Sequence, residues 1–121
     1  MTSAHVPLVD YRRGLSLAGN DTQLYHTFLA AFTRDATCAA MLCALDAGNV
    51  QNAFLYAHSL KGLCAQLGLS ALGEASSAIC ELLRGGNESN LPAARARVQE
   101  VVSLHEATCR AIHAQGSVSL P

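Results

Sequence analysis

Apolar residues return every three or four positions through most of this chain, and glycines and a proline punctuate the returns. Leu8, Val9, Tyr11, Leu15 and Leu17 predict one short amphipathic helix over Leu8 to Ala18, which Gly19 stops. Asn20, Asp21 and Thr22 then offer caps for a long helix from Thr22 to Ala47, with Gln23 placed to complete a capping box with Asn20. Its apolar arc of Leu24, Phe28, Ala31, Phe32, Ala39, Leu42, Cys43 and Leu45 is broad, so burial against two or more neighbours is expected. Asp35 falls inside that arc and must reach the surface or a helix end. Gly48 ends this helix, Asn49 can cap the next, and Val50 to Leu67 follows, ended by Gly68. Ser70 is the expected cap of a helix from Ala71 to Arg84. Arg84 to Asn90 reads as the clearest loop, and Leu91 to Ala114 as a last helix with Pro92 in its first turn.

Four long amphipathic helices with short connections predict an all-α, antiparallel up-and-down four-helix bundle, with the short first helix lying across one end. Residues 1–7 read as a flexible lead-in, 8–114 as the folded domain and 115–121 as a disordered tail.

Composition agrees with helices. Half of the 121 residues are apolar, with three Phe, three Tyr, three Pro and no Trp. A formal net charge of −1, with no basic stripe, argues against nucleic acid as a partner. Cys38, Cys43, Cys64, Cys80 and Cys109 are odd in number, form no CxxC pair and lie within helical patterns, as reduced cysteines of a cytosolic protein do. His105 and Cys109 share a helix face, but two ligands do not make a zinc site. The first nine residues lack a signal-peptide pattern, and nothing approaches the roughly 18 consecutive apolar residues of a membrane span. A cytoplasmic monomer with no membrane contact is therefore expected.

The candidate chemistry lies in Ala57-His-Ser-Leu-Lys-Gly-Leu-Cys-Ala-Gln-Leu-Gly68. At about 100° per residue, His58, Lys61, Gly62 and Ala65 share one face. Ala53, Tyr56, Leu60, Leu63, Cys64 and Leu67 are expected on the buried side. A lone histidine on a helix is most often an ordinary surface residue, and His5, His26 and His113 are read so. His105, on an apolar stripe, is expected to be half-buried and hydrogen-bonded. His58 differs, because a cation and two very small residues adjoin it. A neutral imidazole is available near pH 7 and can form a covalent bond to phosphorus. Lys61 is a compact cation able to follow phosphate oxygens. Gly62 and Ala65 leave room for an approaching protein, and Phe54 and Leu55, one turn back, would form an apolar rim. Gln66 is included in the expected contact surface. No P-loop or Gly-rich nucleotide loop accompanies these residues, so an autonomous kinase is not expected.

This stretch resembles the signature of histidine-containing phosphotransfer (HPt) domains: a histidine, then lysine at the third position, glycine at the fourth and another glycine at the tenth. His58, Lys61, Gly62 and Gly68 match. The flanking "GLSLAGNDTQLYHTFLAAF" and "ALDAGN" are also similar to the family, and the likeness runs from about Leu8 to Ile112. The resemblance implies a four-helix bundle that accepts a phosphoryl group on His58 from a receiver-domain aspartate and passes it to another receiver. Lys61 would steady the phosphate, Gly62 would keep the surface open, and magnesium would belong to the receiver. Implied partners are response-regulator receivers and a hybrid sensor histidine kinase. Where family members often carry Gln or Glu to hydrogen-bond the histidine ring, this chain has Cys80, with Glu81 beside it. The alternative is a helical adaptor of the same fold that docks on a receiver or kinase without transferring phosphate.

Overall fold

The computed structural model describes residues 6–119, with side chains through Gln115. Among these residues the regular structure is entirely helical: α1 (Tyr11–Leu17), α2 (Thr22–Phe32), α3 (Thr37–Ala47), α4 (Val50–Leu67), α5 (Ser70–Leu83), α6 (Leu91–Arg95) and α7 (Val98–Ser119). The all-α bundle is therefore as expected. Residues 1–5 of the expected lead-in and 120–121 of the expected tail lie outside the described residues, while α7 carries helical backbone past Ala114 to Ser119.

Central to the packing is α4, which lies against α5 and α3 and is also touched by α1 and α2; α7 packs on α5 and α2. Leu29, Met41, Leu45, Leu60, Leu69, Leu72, Ile79, Leu83 and Val101 are fully or almost fully buried between them.

Two expected helices are each divided. The reading of Thr22–Ala47 as one helix fails at Thr33–Ala36, where short polar side chains compete with the helical ladder. Thr33 Oγ1 donates to the Ala30 carbonyl at 2.6 Å, and the Asp35 carboxylate accepts from the Thr37 N–H at 2.8 Å. Asp35 thus reaches both the surface and a helix end. By length and composition Thr22–Ala47 could cross a membrane, but core helices of soluble proteins meet that test. Here the break divides it, and Tyr25, Leu29, Phe32, Met41 and Leu45 from its two halves enter the core. The second division separates α6 from α7 at Ala96–Arg97, where the Arg97 N–H bonds Ala94 three residues back. From α6, Arg95 reaches the Leu45 and Asp46 carbonyls at 2.9 and 3.0 Å, satisfying the open C-terminal end of α3 with a cation.

Of the three cap candidates before α2, Asp21 takes the position, accepting from the Leu24 N–H; the Asn20–Gln23 capping box does not form, because Asn20 lies outside the cap with a left-handed φ of 62°. Ser70 lies within α5 instead of capping it, and the expected loop after α5 holds two 3₁₀ turns, Arg84–Gly86 and Glu88–Asn90. Asn49 caps α4 as expected, accepting from the Asn52 N–H at 3.1 Å.

The C-terminal end of α4 is the joint that holds the first helix. The Asp10 N–H donates to the Gly68 carbonyl at 2.7 Å, and the buried Tyr25 hydroxyl donates to the Leu67 carbonyl at 2.7 Å. The Ala71 N–H donates to the Pro7 carbonyl at 3.0 Å, so the backbone is tied down on both sides of the joint. Burial pushes the Tyr25 hydroxyl pKa up to about 12, with smaller contributions from Tyr11 and Asp10, so it remains a donor at neutral pH.

Candidate functional site

Helix α4 buries Ala53, Ala57, Leu60, Cys64 and Leu67, which return at helical spacing along its inner side. Tyr56, expected on that side, is instead 38% exposed, and the small Ala57 takes the inner position. Its neighbour His58 is turned outward into solvent. Lys61, one turn on, is half-buried, and Gly62, Ala65 and Gln66 are exposed. A Cβ added at Gly62 would meet nothing within 4 Å, so the surface over this turn is open. The structure therefore brings His58, Lys61, Gly62, Ala65 and Gln66 onto one accessible stretch of a helix whose inner face is buried.

The expected apolar rim separates into two kinds of residue. Leu55 is 58% exposed. Phe54 is half-buried, packs against the core and stacks on the imidazole of His58, with ring centroids 6.2 Å apart and planes inclined by 23°. Such aromatic pairs contribute about 0.5–1.5 kcal/mol beyond area burial. The Phe54 ring also carries the guanidinium of Arg84, 5.6 Å from its centroid, a contact of about 0.5–1 kcal/mol at exposed sites.

Neither Cys80 nor Glu81 supports the imidazole. Cys80 is wholly buried in the core cluster. Glu81 points outward and is held by Arg84 through two bonds, Nε to Oε1 at 3.2 Å and Nη2 to Oε2 at 2.5 Å. The hydrogen bond from Arg84 and then its charge hold the Glu81 carboxyl below its usual range, with Lys61 adding a smaller pull. Among the described residues, no hydrogen bond reaches the His58 ring; its ring contact is Phe54.

Two grooves flank the Gly62–Ala65 stretch. The larger, about 600 Å³, lies between α1, α2 and α4, and its lining includes Leu17, Phe28, Leu63, Ala65 and Gln66 together with the charged Arg13 and Asp35. Leu17 and Phe28 are 57% and 44% exposed. The smaller is lined by Lys61, Ala65, Gly73, Ser77 and Glu74, and Arg13 belongs to both. Phe28 is read from sequence as part of a broad core arc, because periodicity does not say which edge of such an arc stays wet. Arg84 is read from sequence as the end of a helix and the start of a loop, although its three-residue spacing from Glu81 was a signal for the pair.

The remaining candidates are elsewhere. His105 is half-buried, its ring tilted by 52° against Phe32 with centroids 5.8 Å apart, and its Nε2 lies 3.9 Å from Cys109 Sγ. Burial pushes the Cys38 thiol up to about 11 and the Cys64 thiol up to about 12, so both are protonated at neutral pH; Cys43 alone among the cysteines is exposed.

Helix α4 thus presents an outward imidazole at His58, with a cation, Lys61, and an open glycine, Gly62, adjoining each other one turn on. The family model of the Hpt domain matches residues 24–112, most of the chain, from Leu24 within α2 through α3, α4, α5 and α6 and into α7. The chain belongs to the Hpt domain family. Hpt domains serve histidine phosphotransfer in two-component signalling and work with receiver domains and kinases. Comparisons with curated proteins and with solved structures returned no match. The Hpt match contains His58, Lys61, Gly62 and Gly68, while α1, which supplies one wall of the larger groove, precedes it.

Proposed function

We propose that this Hpt domain is a phosphorelay carrier: His58 accepts a phosphoryl group from a receiver-domain aspartate and passes it to another receiver. The observation that carries the reading is the exposed His58 on a helix whose inner face is buried, with Lys61 one turn on and open space at Gly62. In the forward step, the lone pair of the unprotonated ring nitrogen forms the N–P bond. The bond between phosphorus and the aspartyl oxygen breaks, and its electron pair leaves with the carboxylate. The other ring nitrogen keeps its proton until water takes it. Lys61 neutralises charge on the phosphoryl oxygens, and magnesium belongs to the receiver. The exposed side chains Leu17, Phe28, Leu55 and Gln66, with Ala65, form the docking surface around that centre. A hybrid sensor kinase stands upstream, and the domain acts as a cytoplasmic monomer with no kinase activity of its own.

One observation favours the adaptor alternative: Cys80 is buried and Glu81 is occupied by Arg84, leaving the ring without a hydrogen-bonded support. Gly62→Gln separates docking from folding. Glutamine is the better helix former by a little under about 1 kcal/mol, and nothing stands where its Cβ would go, so thermal stability should hold or rise. Transfer of label from a receiver charged with acetyl phosphate should slow at least about tenfold, because the new side chain occupies the approach to His58. Unchanged transfer with normal receiver binding would overturn the open-surface role.

A further inference from the structure

We propose that Phe54 is a positioning residue, holding the His58 imidazole by ring stacking at the orientation from which phosphoryl transfer occurs; this rests on the carrier reading above. An exposed histidine turns freely about two side-chain bonds, whereas attack on phosphorus needs one ring nitrogen aimed at the open side of the helix. A hydrogen-bonding partner would usually fix the ring, but Cys80 is buried and the Glu81 carboxylate is engaged by Arg84. Phe54 takes over that task. It sits one turn before His58, its ring lies 23° from the imidazole plane, and its own place is fixed because it packs on the core. Arg84 steadies the same ring at 5.6 Å, and Glu81 holds Arg84 by two bonds, so α5 and the turn after it brace the acceptor through an aromatic ring.

The test compares wild type, Phe54→Leu, Phe54→Tyr and Arg84→Ala in two measurements. The first is NMR contact between the ring protons of residue 54 and those of His58, with side-chain couplings that report whether His58 holds one rotamer. Wild type and Phe54→Tyr should show the ring contact and a single rotamer; Phe54→Leu should show averaging. The second is single-turnover transfer from a receiver domain charged with acetyl phosphate, at increasing receiver concentration. Phe54→Leu should lower the maximal rate about tenfold, leave the half-saturating concentration within about twofold, and be restored by Phe54→Tyr. Arg84→Ala, at an exposed position, should lower the maximal rate by a smaller factor and serves if Phe54→Leu does not fold.

An averaged His58 ring in wild type, an effect confined to half-saturation, or no recovery with Phe54→Tyr would each overturn the positioning role. If wild type takes no label at His58, the carrier reading fails, and the NMR contacts still decide whether Phe54 orders the ring.

Discussion

His58→Gln should abolish phosphoryl acceptance, lowering labelling by more than about a hundredfold, while leaving the fold intact. An amide has no basic ring nitrogen, so no lone pair is available to form the N–P bond. His58 is exposed and, among the described residues, its ring contact is with Phe54, so the stability loss should not exceed the about 0.5–1.5 kcal/mol of that ring pair. Thermal unfolding and labelling measured on the same preparation would check both halves. Equal labelling of wild type and variant would move the acceptor elsewhere, with the exposed His113 the first place to look.

Gly68→Ala is expected to have the largest structural effect. At a φ of 75°, alanine costs about 1 kcal/mol or more in backbone strain alone. Its Cβ would also fall 2.5 Å from the Asp10 carbonyl oxygen and 3.1 Å from the Gly14 nitrogen, both backbone atoms that cannot swing away. Relief requires moving α1, at the expense of the Asp10–Gly68 bond. A loss of about 3 kcal/mol follows, lowering the unfolding midpoint by roughly 10–15 °C. Gly85→Ala is the control: it has the same φ of 75° but nothing within 4 Å, so it should cost about 1 kcal/mol. Similar losses at the two positions would contradict the joint between α1 and α4.

The signature glycines therefore serve different purposes, which the sequence pattern alone does not separate. Gly62 faces open space, whereas Gly68 is a contact point for another segment. The boundaries of α4 and its Asn49 cap were legible, because a glycine and an asparagine adjoin a strongly periodic stretch. The breaks in the two long helices were not. At Thr33–Ala36 the apolar spacing continues across the interruption, and the deciding bonds come from Thr33 and Asp35 side chains to nearby backbone. Tyr56 and Ala57 show a similar limit: an apolar arc places the inner side to within one residue, and packing against α3 and α5 selects alanine.

The His58, Lys61 and Gly62 face was legible from spacing alone. The setting of Phe54 was not, because its contact with Arg84 joins positions far apart in the chain. The same holds for the larger groove, assembled from α1, α2 and α4, with Leu17 and Phe28 left partly in water.

The most direct test of the central claim is to locate the phosphoryl group itself. Wild-type protein would be incubated with a receiver domain charged with acetyl phosphate and magnesium, kept at neutral to alkaline pH, and fragmented for mass spectrometry. The account predicts an acid-labile phosphoryl group on His58. A phosphoryl group on another residue, or none on the chain although the receiver binds, would contradict it.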